Sequence, residues 1–252
     1  MKNETASFLL ALQFLTRLPV RSDDLYTPAR MAASVKYYGL IGVIIGALSA
    51  TTYWIAAQAL PQTISVMLAI AAGLLVTGAF HEDGLADTFD GIGGGLNREK
   101  ALEIMKDSRI GVYGSSALIM ALTLKAAALM ALSTTLIVPA LIAGHALSRL
   151  SSVFVIATSS YVRGQGVGKP VADGVSAPGL MFSALTGTII IAVWCISQPA
   201  LAVAYGVGAL VVGHISMRLF FEPKISGYTG DTLGAVQQAS EIAFYLGLAA
   251  WR

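Results

Sequence analysis

The stretch His81-Glu82-Asp83-Gly84-Leu85-Ala86-Asp87-Thr88-Phe89-Asp90-Gly91 gathers four carboxylates directly after an apolar run long enough to cross a membrane. On a helix, at about 100° per residue, Asp83, Asp87 and Asp90 fall within about 60° of one another. Like charges on one face repel, so the pattern is costly unless a cation neutralises it. Hard oxygen donors of this kind suit Mg²⁺, with a phosphate on the metal's far side. The competing reading is a solvated acidic first turn. The low share of charged residues, 12%, and the apolar flank weigh against it.

Basic groups follow. In Lys106-Asp107-Ser108-Arg109-Ile110-Gly111, Lys106 and Arg109 are spaced i, i+3 and can hold a diphosphate jointly; membrane topogenesis alone is the other account of them. Between the acids and these cations, Gly91-Ile92-Gly93-Gly94-Gly95 reads either as a loop whose N–H groups approach phosphate or as a flexible linker. Residues 97–106 read as a short amphipathic helix on the membrane surface, with Ala101, Leu102 and Met105 on its apolar side. Further on, the run Gly164-Gln165-Gly166-Val167-Gly168-Lys169-Pro170 lacks the spacing and the Ser or Thr of a phosphate-binding P-loop, which excludes nucleotide hydrolysis of that type. Arg163 and Lys169 beside it still suit an anion.

Charged groups also stand inside apolar segments, where they are expensive. Asp231 opens the last such segment, and Gln238 and Glu241 give that helix a polar side. Asp231 and Glu241 are functional candidates, or they pair with Arg149 or Lys125. Arg149, with His145 four residues before it and Ser148 and Ser152 nearby, either pairs with an acid for packing or contacts an anionic substrate. Lys125 is expected to snorkel toward the interface. His145 and His214 are expected as packed, hydrogen-bonded histidines.

The elements that must position these groups are membrane helices. Of 252 residues, 56% are hydrophobic, and the mean hydropathy is +0.72. Soluble domains run to about 45–50% apolar and about 25% charged residues. Runs of about twenty apolar residues predict seven spans: Gly39–Leu60, Thr63–Phe80, Val112–Leu132, Leu136–Thr158, Gly179–Ile196, Ala200–Phe220 and Leu233–Trp251. The connections at Pro61-Gln62, 133–135 and 197–199 are short and uncharged. Nearly all Lys and Arg lie in the others, which the positive-inside rule assigns to the cytoplasm. The fold class is therefore an all-α polytopic membrane protein, organised as a single integral membrane catalytic domain over residues 1–252. Residues 1–38 form a cytoplasmic or interfacial segment with an amphipathic or re-entrant helix, and 81–111 form an acidic and basic catalytic loop. Gln13 and Arg17 interrupt the first apolar run, which argues against a signal peptide. The lone Cys195 excludes an intrachain disulfide, and a net charge of +2 gives no case for nucleic-acid binding. Two segments share the pattern G-H-x-x-x-R-L, beginning at Gly144 and Gly213, a faint internal echo.

These motifs together resemble the cobalamin synthase family, the adenosylcobinamide-GDP ribazoletransferases of cobamide nucleotide-loop assembly. The resemblance rests on Phe14-Leu15-Thr16-Arg17-Leu18-Pro19-Val20, Gly39-Leu40-Ile41-Gly42, Glu82-Asp83-Gly84-Leu85-Ala86-Asp87 with Asp90-Gly91, and Met105-Lys106-Asp107-Ser108-Arg109-Ile110-Gly111. It continues through Arg163 with Gly164, Gly166 and Gly168 to Tyr228-Thr229-Gly230-Asp231-Thr232-Leu233-Gly234-Ala235. It implies a Mg²⁺-dependent enzyme of the bacterial inner membrane with its active site facing the cytoplasm. Such an enzyme joins α-ribazole, or its 5′-phosphate, to adenosylcobinamide-GDP and releases GMP. On that chemistry Asp83, Asp87 and Asp90 hold Mg²⁺, and Lys106 and Arg109 clamp the diphosphate, with Arg149 and Arg163 as further anion contacts. Glu82 is a ligand or a base, Asp231 a second metal ligand or the base, and His81 an aid to proton transfer. Other enzymes of nucleotide-loop assembly are possible docking partners.

Two rivals remain at this stage. A CDP-alcohol phosphotransferase carries D-G-x-x-A-R, whereas Asp83-Gly84-Leu85-Ala86-Asp87 lacks that Arg. A transporter would line its path with Lys125, Arg149 and Glu241 near the midplane, but the acids concentrate at one surface.

Overall fold

The computed structural model describes residues 2–21, 23–163, 171 and 175–251. The described residues form eleven α-helices and no strand beyond a single bridge. The helices are α1 (Lys2–Leu15), α2 (Pro28–Ser34), α3 (Tyr38–Ala56), α4 (Gln62–Thr77), α5 (Phe80–Gly94), α6 (Arg98–Ile104), α7 (Val112–Ala131), α8 (Thr134–Thr158), α9 (Ala177–Ser197), α10 (Ala200–Ile225) and α11 (Gly230–Ala250).

Each of the seven expected spans is a helix. Five are long and apolar enough to cross a membrane by themselves: Pro28–Ala56, Val112–Ala131, Thr134–Thr158, Ala177–Ser197 and Ala200–Ile225. Large apolar side chains such as Trp54, Leu75, Ile119, Ile189 and Val212 stand exposed on these helices and on α4, as lipid-facing surface requires. This is a polytopic, all-α membrane protein.

Two segments depart from the simple reading. The second span, α4, is short, and it reaches the length of a span only together with α5, to which it is bent by 86°. The bend has a local cause. Gly78 ends α4 in the left-handed region at φ 66°, and Ala79 follows at φ 56°. Glycine takes that conformation freely, whereas Ala79 takes it at a cost. The N-terminal segment braces the corner, where the Arg17 backbone N–H donates to the Val76 carbonyl at 2.7 Å.

The second departure is α11. It is long enough to span, but Gln237, Gln238 and Glu241 make it less apolar than the five. It packs against α10, α5, α8 and α7, and most of its residues are buried. Its polar side chains therefore meet protein rather than lipid.

The segment 81–111, expected as a loop, is mostly helical. Residues 80–94 are α5, including most of the glycine run, which is therefore neither a phosphate loop nor a linker. The expected surface helix is present as α6, capped by Asn97. Two cations near it have structural partners: Arg98 Nε donates to the Ile225 carbonyl at 2.9 Å, and Lys224 Nζ to that of Ile92 at 2.7 Å. Both bonds tie α10 to the α5–α6 corner.

Candidate active site at the crossing of α5 and α11

Residues from the two most chemically suggestive motifs meet where α5 crosses α11. The crossing is close because both helices present glycine. A Cβ on Gly84 would meet the Asp231 carbonyl oxygen at 2.7 Å, and one on Gly234 the His81 carbonyl oxygen at 2.9 Å. Thr229 holds the start of α11 in a reciprocal capping box with Thr232. The preceding residue, Tyr228, forms a parallel bridge with Tyr161, in which Val162 N–H donates to the Tyr228 carbonyl at 3.0 Å. That bridge delivers Arg163 to Asp231, and the two pair at 2.6 Å with little exposure.

A cavity of about 160 Å³ opens at this crossing. Asp83, Asp231 and Arg163 line it together with His81, Arg149 and Ser152. Phe14, Leu15, Tyr38, Phe80, Tyr161 and Leu233 supply apolar and aromatic walls. Asp83 is exposed, while Arg149 and His81 are buried, so Asp83 marks the open side. Asp87 is half-buried one turn beyond Asp83. Its carboxyl is pushed up to about 7, first by burial and then by the negative charges of Asp231 and Asp83.

The remaining site candidates fall elsewhere. Asp90 is buried and caps α7: its two carboxylate oxygens accept from the N–H groups of Gly111 at 2.7 Å and Gly114 at 2.8 Å. It therefore explains the glycine that closes the Lys106–Gly111 motif, and it does not line the cavity. Lys106 and Arg109 are exposed and do not line the cavity. Arg109 pairs with Asp107 at 2.6 Å, and that pairing holds the Asp107 carboxyl down at about 2. Gly164, Gly166, Gly168 and Lys169 lie outside the described residues.

Glu82 points into the interior instead. Gln238 Nε2 donates to its Oε1 at 2.9 Å, and Lys125 Nζ stands 3.7 Å away. Lys125 does not snorkel. It is buried, donates to Gln238 Oε1 at 2.8 Å and pairs with Glu241 at 3.2 Å. Glu241 also accepts from Gln237 Nε2 at 2.6 Å and from the Tyr245 hydroxyl at 3.2 Å, and it faces His145 Nδ1 at 3.4 Å. Arg149 Nη1 donates to the His145 carbonyl at 2.9 Å. This polar core ends at the cavity, since Arg149 lines both. His145 is packed and hydrogen-bonded, as expected, and His214 is half-buried and hydrogen-bonded, at 2.6 Å from Ser151 Oγ.

Among the described residues, no three His, Cys, Asp or Glu side chains converge tightly enough to hold a metal ion unaided. Mg²⁺ seldom requires that: it keeps waters and binds through one or two carboxylates plus the phosphate oxygens of a substrate. Asp83 and Asp87 fit such a partial site, because their mutual repulsion and that of Asp231 leave negative charge for a cation to neutralise.

Fold and site together define a polytopic membrane protein with an acid-and-arginine cavity at one end of its helix bundle. Comparison with known proteins makes this specific. The profile of the family described as cobalamin-5-phosphate synthase matches residues 7–249, and the chain belongs to that family. Relatives named adenosylcobinamide-GDP ribazoletransferase match almost end to end. One from Shewanella woodyi is 41% identical, covering 98% of this chain and 96% of its own. One from Leptothrix cholodnii is 43% identical, covering 97% and 95%. One from Shewanella frigidimarina is 42% identical, covering 95% and 92%. No solved structure matches.

Proposed function

We propose that this chain is an adenosylcobinamide-GDP ribazoletransferase, catalysing the step of cobalamin assembly that its relatives' name describes. A hydroxyl of α-ribazole, or of its 5′-phosphate, attacks the phosphate joined to the cobinamide. The new phosphodiester forms, the bond between the two phosphates breaks, and GMP leaves.

The observation that carries this reading is the meeting of Asp83, Asp231 and Arg163 in one cavity, in a chain matched over nearly its whole length by that family. Phosphoryl transfer asks mainly for positioning and charge neutralisation. Arg163 and Arg149 supply positive charge to the cavity. Asp231 is the better-placed base for the attacking hydroxyl, since Glu82 is engaged by Lys125 and Gln238. When the diphosphate takes up Arg163, the Asp231 carboxylate is released to accept the proton. His81 lines the same cavity and can relay that proton. Asp83 and Asp87 are the residues that would hold Mg²⁺, whose chemistry here is neutralisation of the diphosphate and of the departing GMP. Lys106 and Arg109 serve membrane topology and the outer approach of the anion rather than the reacting phosphates.

The cavity lies at the end of the bundle where α3 and α11 begin and α8 ends. The lysines and arginines concentrate at that end in sequence, which supports a cytoplasm-facing site in the bacterial inner membrane. Turnover tests the reading: the purified protein in liposomes, given adenosylcobinamide-GDP, α-ribazole and Mg²⁺, releases GMP and cobamide together.

A further inference from the structure

One wall of the cavity is aromatic, in contrast to the charged groups that share it. Phe14, Tyr38 and Phe80 line it as one aromatic cluster: the rings of Phe14 and Tyr38 lie nearly parallel at 6.2 Å between centroids, and those of Phe14 and Phe80 edge to face at 5.4 Å. Leu15 and Leu233 complete the apolar lining. Five polar atoms of lining residues are buried without a hydrogen bond to the described residues: the Tyr38 hydroxyl, His81 Nδ1, Arg149 Nε, and Nε and Nη2 of Arg163, the last of which is ion-paired with Asp231. Buried polar groups are normally satisfied, so these orphans around one cavity indicate a ligand that completes them.

Size and polarity select that ligand. An apolar cavity of about 150 Å³ takes up a benzene ring, so one of about 160 Å³ admits a small planar ring system. A corrinoid or an entire nucleoside diphosphate is far larger. Guanine would fit by size, but its Watson–Crick edge carries N–H donors that need acceptors, whereas the unpartnered Tyr38 hydroxyl and Arg149 Nε offer donors. A benzimidazole needs little: one ring nitrogen accepts a hydrogen bond, and its remaining edge is apolar.

We infer that the aromatic base of ribazole docks in the cavity among Phe14, Tyr38 and Phe80, with its ribose directed to Asp83 and Asp231. This rests on the ribazole-transfer reading above. Arg149 Nε or the Tyr38 hydroxyl donates to the ring nitrogen of the base. The diphosphate substrate then approaches from the open end and never enters the aromatic part. Phe14, Tyr38 and Phe80 are thereby the residues that select the nucleoside.

Steady-state kinetics of Phe14→Leu and Phe80→Leu in liposomes test this. Loss of one aromatic wall should raise the KM for ribazole about tenfold or more, with the KM for adenosylcobinamide-GDP held within about twofold. A rise confined to adenosylcobinamide-GDP, or no change in either constant, overturns the assignment. Wild-type protein supplies a second test that does not depend on the variants folding. Free 5,6-dimethylbenzimidazole should inhibit competitively against ribazole and not against adenosylcobinamide-GDP; competition against the latter alone, or none, overturns it. Calorimetric titration of wild type with ribazole separates this inference from the activity itself. Binding without turnover retains the subsite and removes the proposed reaction, whereas turnover with the aromatic variants unaffected does the reverse.

Discussion

A methyl group on Gly84 would sit 2.7 Å from the carbonyl oxygen of Asp231, a backbone atom of the facing helix. That contact sets the distance between the acidic motif and the start of α11. Gly84→Ala must push α5 and α11 apart, because the obstacle is backbone and cannot rotate away. Overpacking of this kind costs about 1–3 kcal/mol. Turnover should fall by about a hundredfold, beyond what the stability loss alone produces, because positioning errors of about 1 Å weigh heavily on rate. A thermal melt beside an activity assay checks both, and an active, fully stable Gly84→Ala would contradict the crossing geometry.

Asp90 and Asp83 should separate cleanly. Asp90→Ala removes the cap of α7 and should cost about 1–2 kcal/mol of stability, while leaving the Mg²⁺ concentration for half-maximal activity unchanged. Asp83→Asn should do the opposite, with a normal melt and a raised Mg²⁺ requirement. Melting curves and Mg²⁺ titrations of the two variants decide the matter; identical Mg²⁺ behaviour would return Asp90 to the metal site.

The two arginines beside acids also differ. Arg163 is nearly buried against Asp231 in the cavity wall, whereas the Arg109 side chain is 87% exposed beside Asp107. Removing a donor that stabilises transition-state charge costs about 10²–10³ in rate. Arg163→Ala should therefore lose that much kcat, and Arg109→Ala less than about tenfold. The reverse order would move the reacting phosphates toward the Lys106–Gly111 motif.

The polar core predicts a non-additive pair. Lys125→Met leaves Glu82 and Glu241 buried without their cation, and breaking a buried pair in this way costs about 3–5 kcal/mol. Adding Glu241→Gln should recover part of that loss. Unfolding in detergent reports both values, and a harmless Lys125→Met would contradict the network.

The legible part of this architecture was local. Apolar runs mark the spans, and the spacing of Asp83, Asp87 and Asp90 marks a helical face, because both follow from periodicity. Gly78 signals a helix end, but nothing local marks Ala79 as left-handed, so the sharp bend into α5 and the helical state of the glycine run stayed hidden. Lys125 illustrates the other limit. Its neighbours in sequence are apolar, and its partners Glu82, Gln238 and Glu241 belong to two other helices. Asp90 and Asp83 look alike in sequence, and only the position of α7 makes one a cap. Tyr38 and Phe14 carry no mark of a binding cavity, since aromatic residues near span ends are common.

Acidity offers a check on the metal site. Burial and the charges of Asp231 and Asp83 push the Asp87 carboxyl up to about 7. A carboxylate must lose its proton before it holds a divalent cation, so protons compete with Mg²⁺ below that value. The Mg²⁺ concentration for half-maximal activity should therefore fall as pH rises from about 6 to about 8 and then level off. Asp87→Asn should flatten the profile. A profile equally steep in that variant would place the titrating group elsewhere.

The most direct measurement follows GMP release and cobamide formation by the protein in liposomes, supplied with adenosylcobinamide-GDP, α-ribazole and Mg²⁺, for wild type and Asp83→Asn. Wild type should give equimolar GMP and cobamide, and the variant should lose both while still inserting and melting normally. Full activity in Asp83→Asn would contradict the site, and absence of product from wild type would contradict the function.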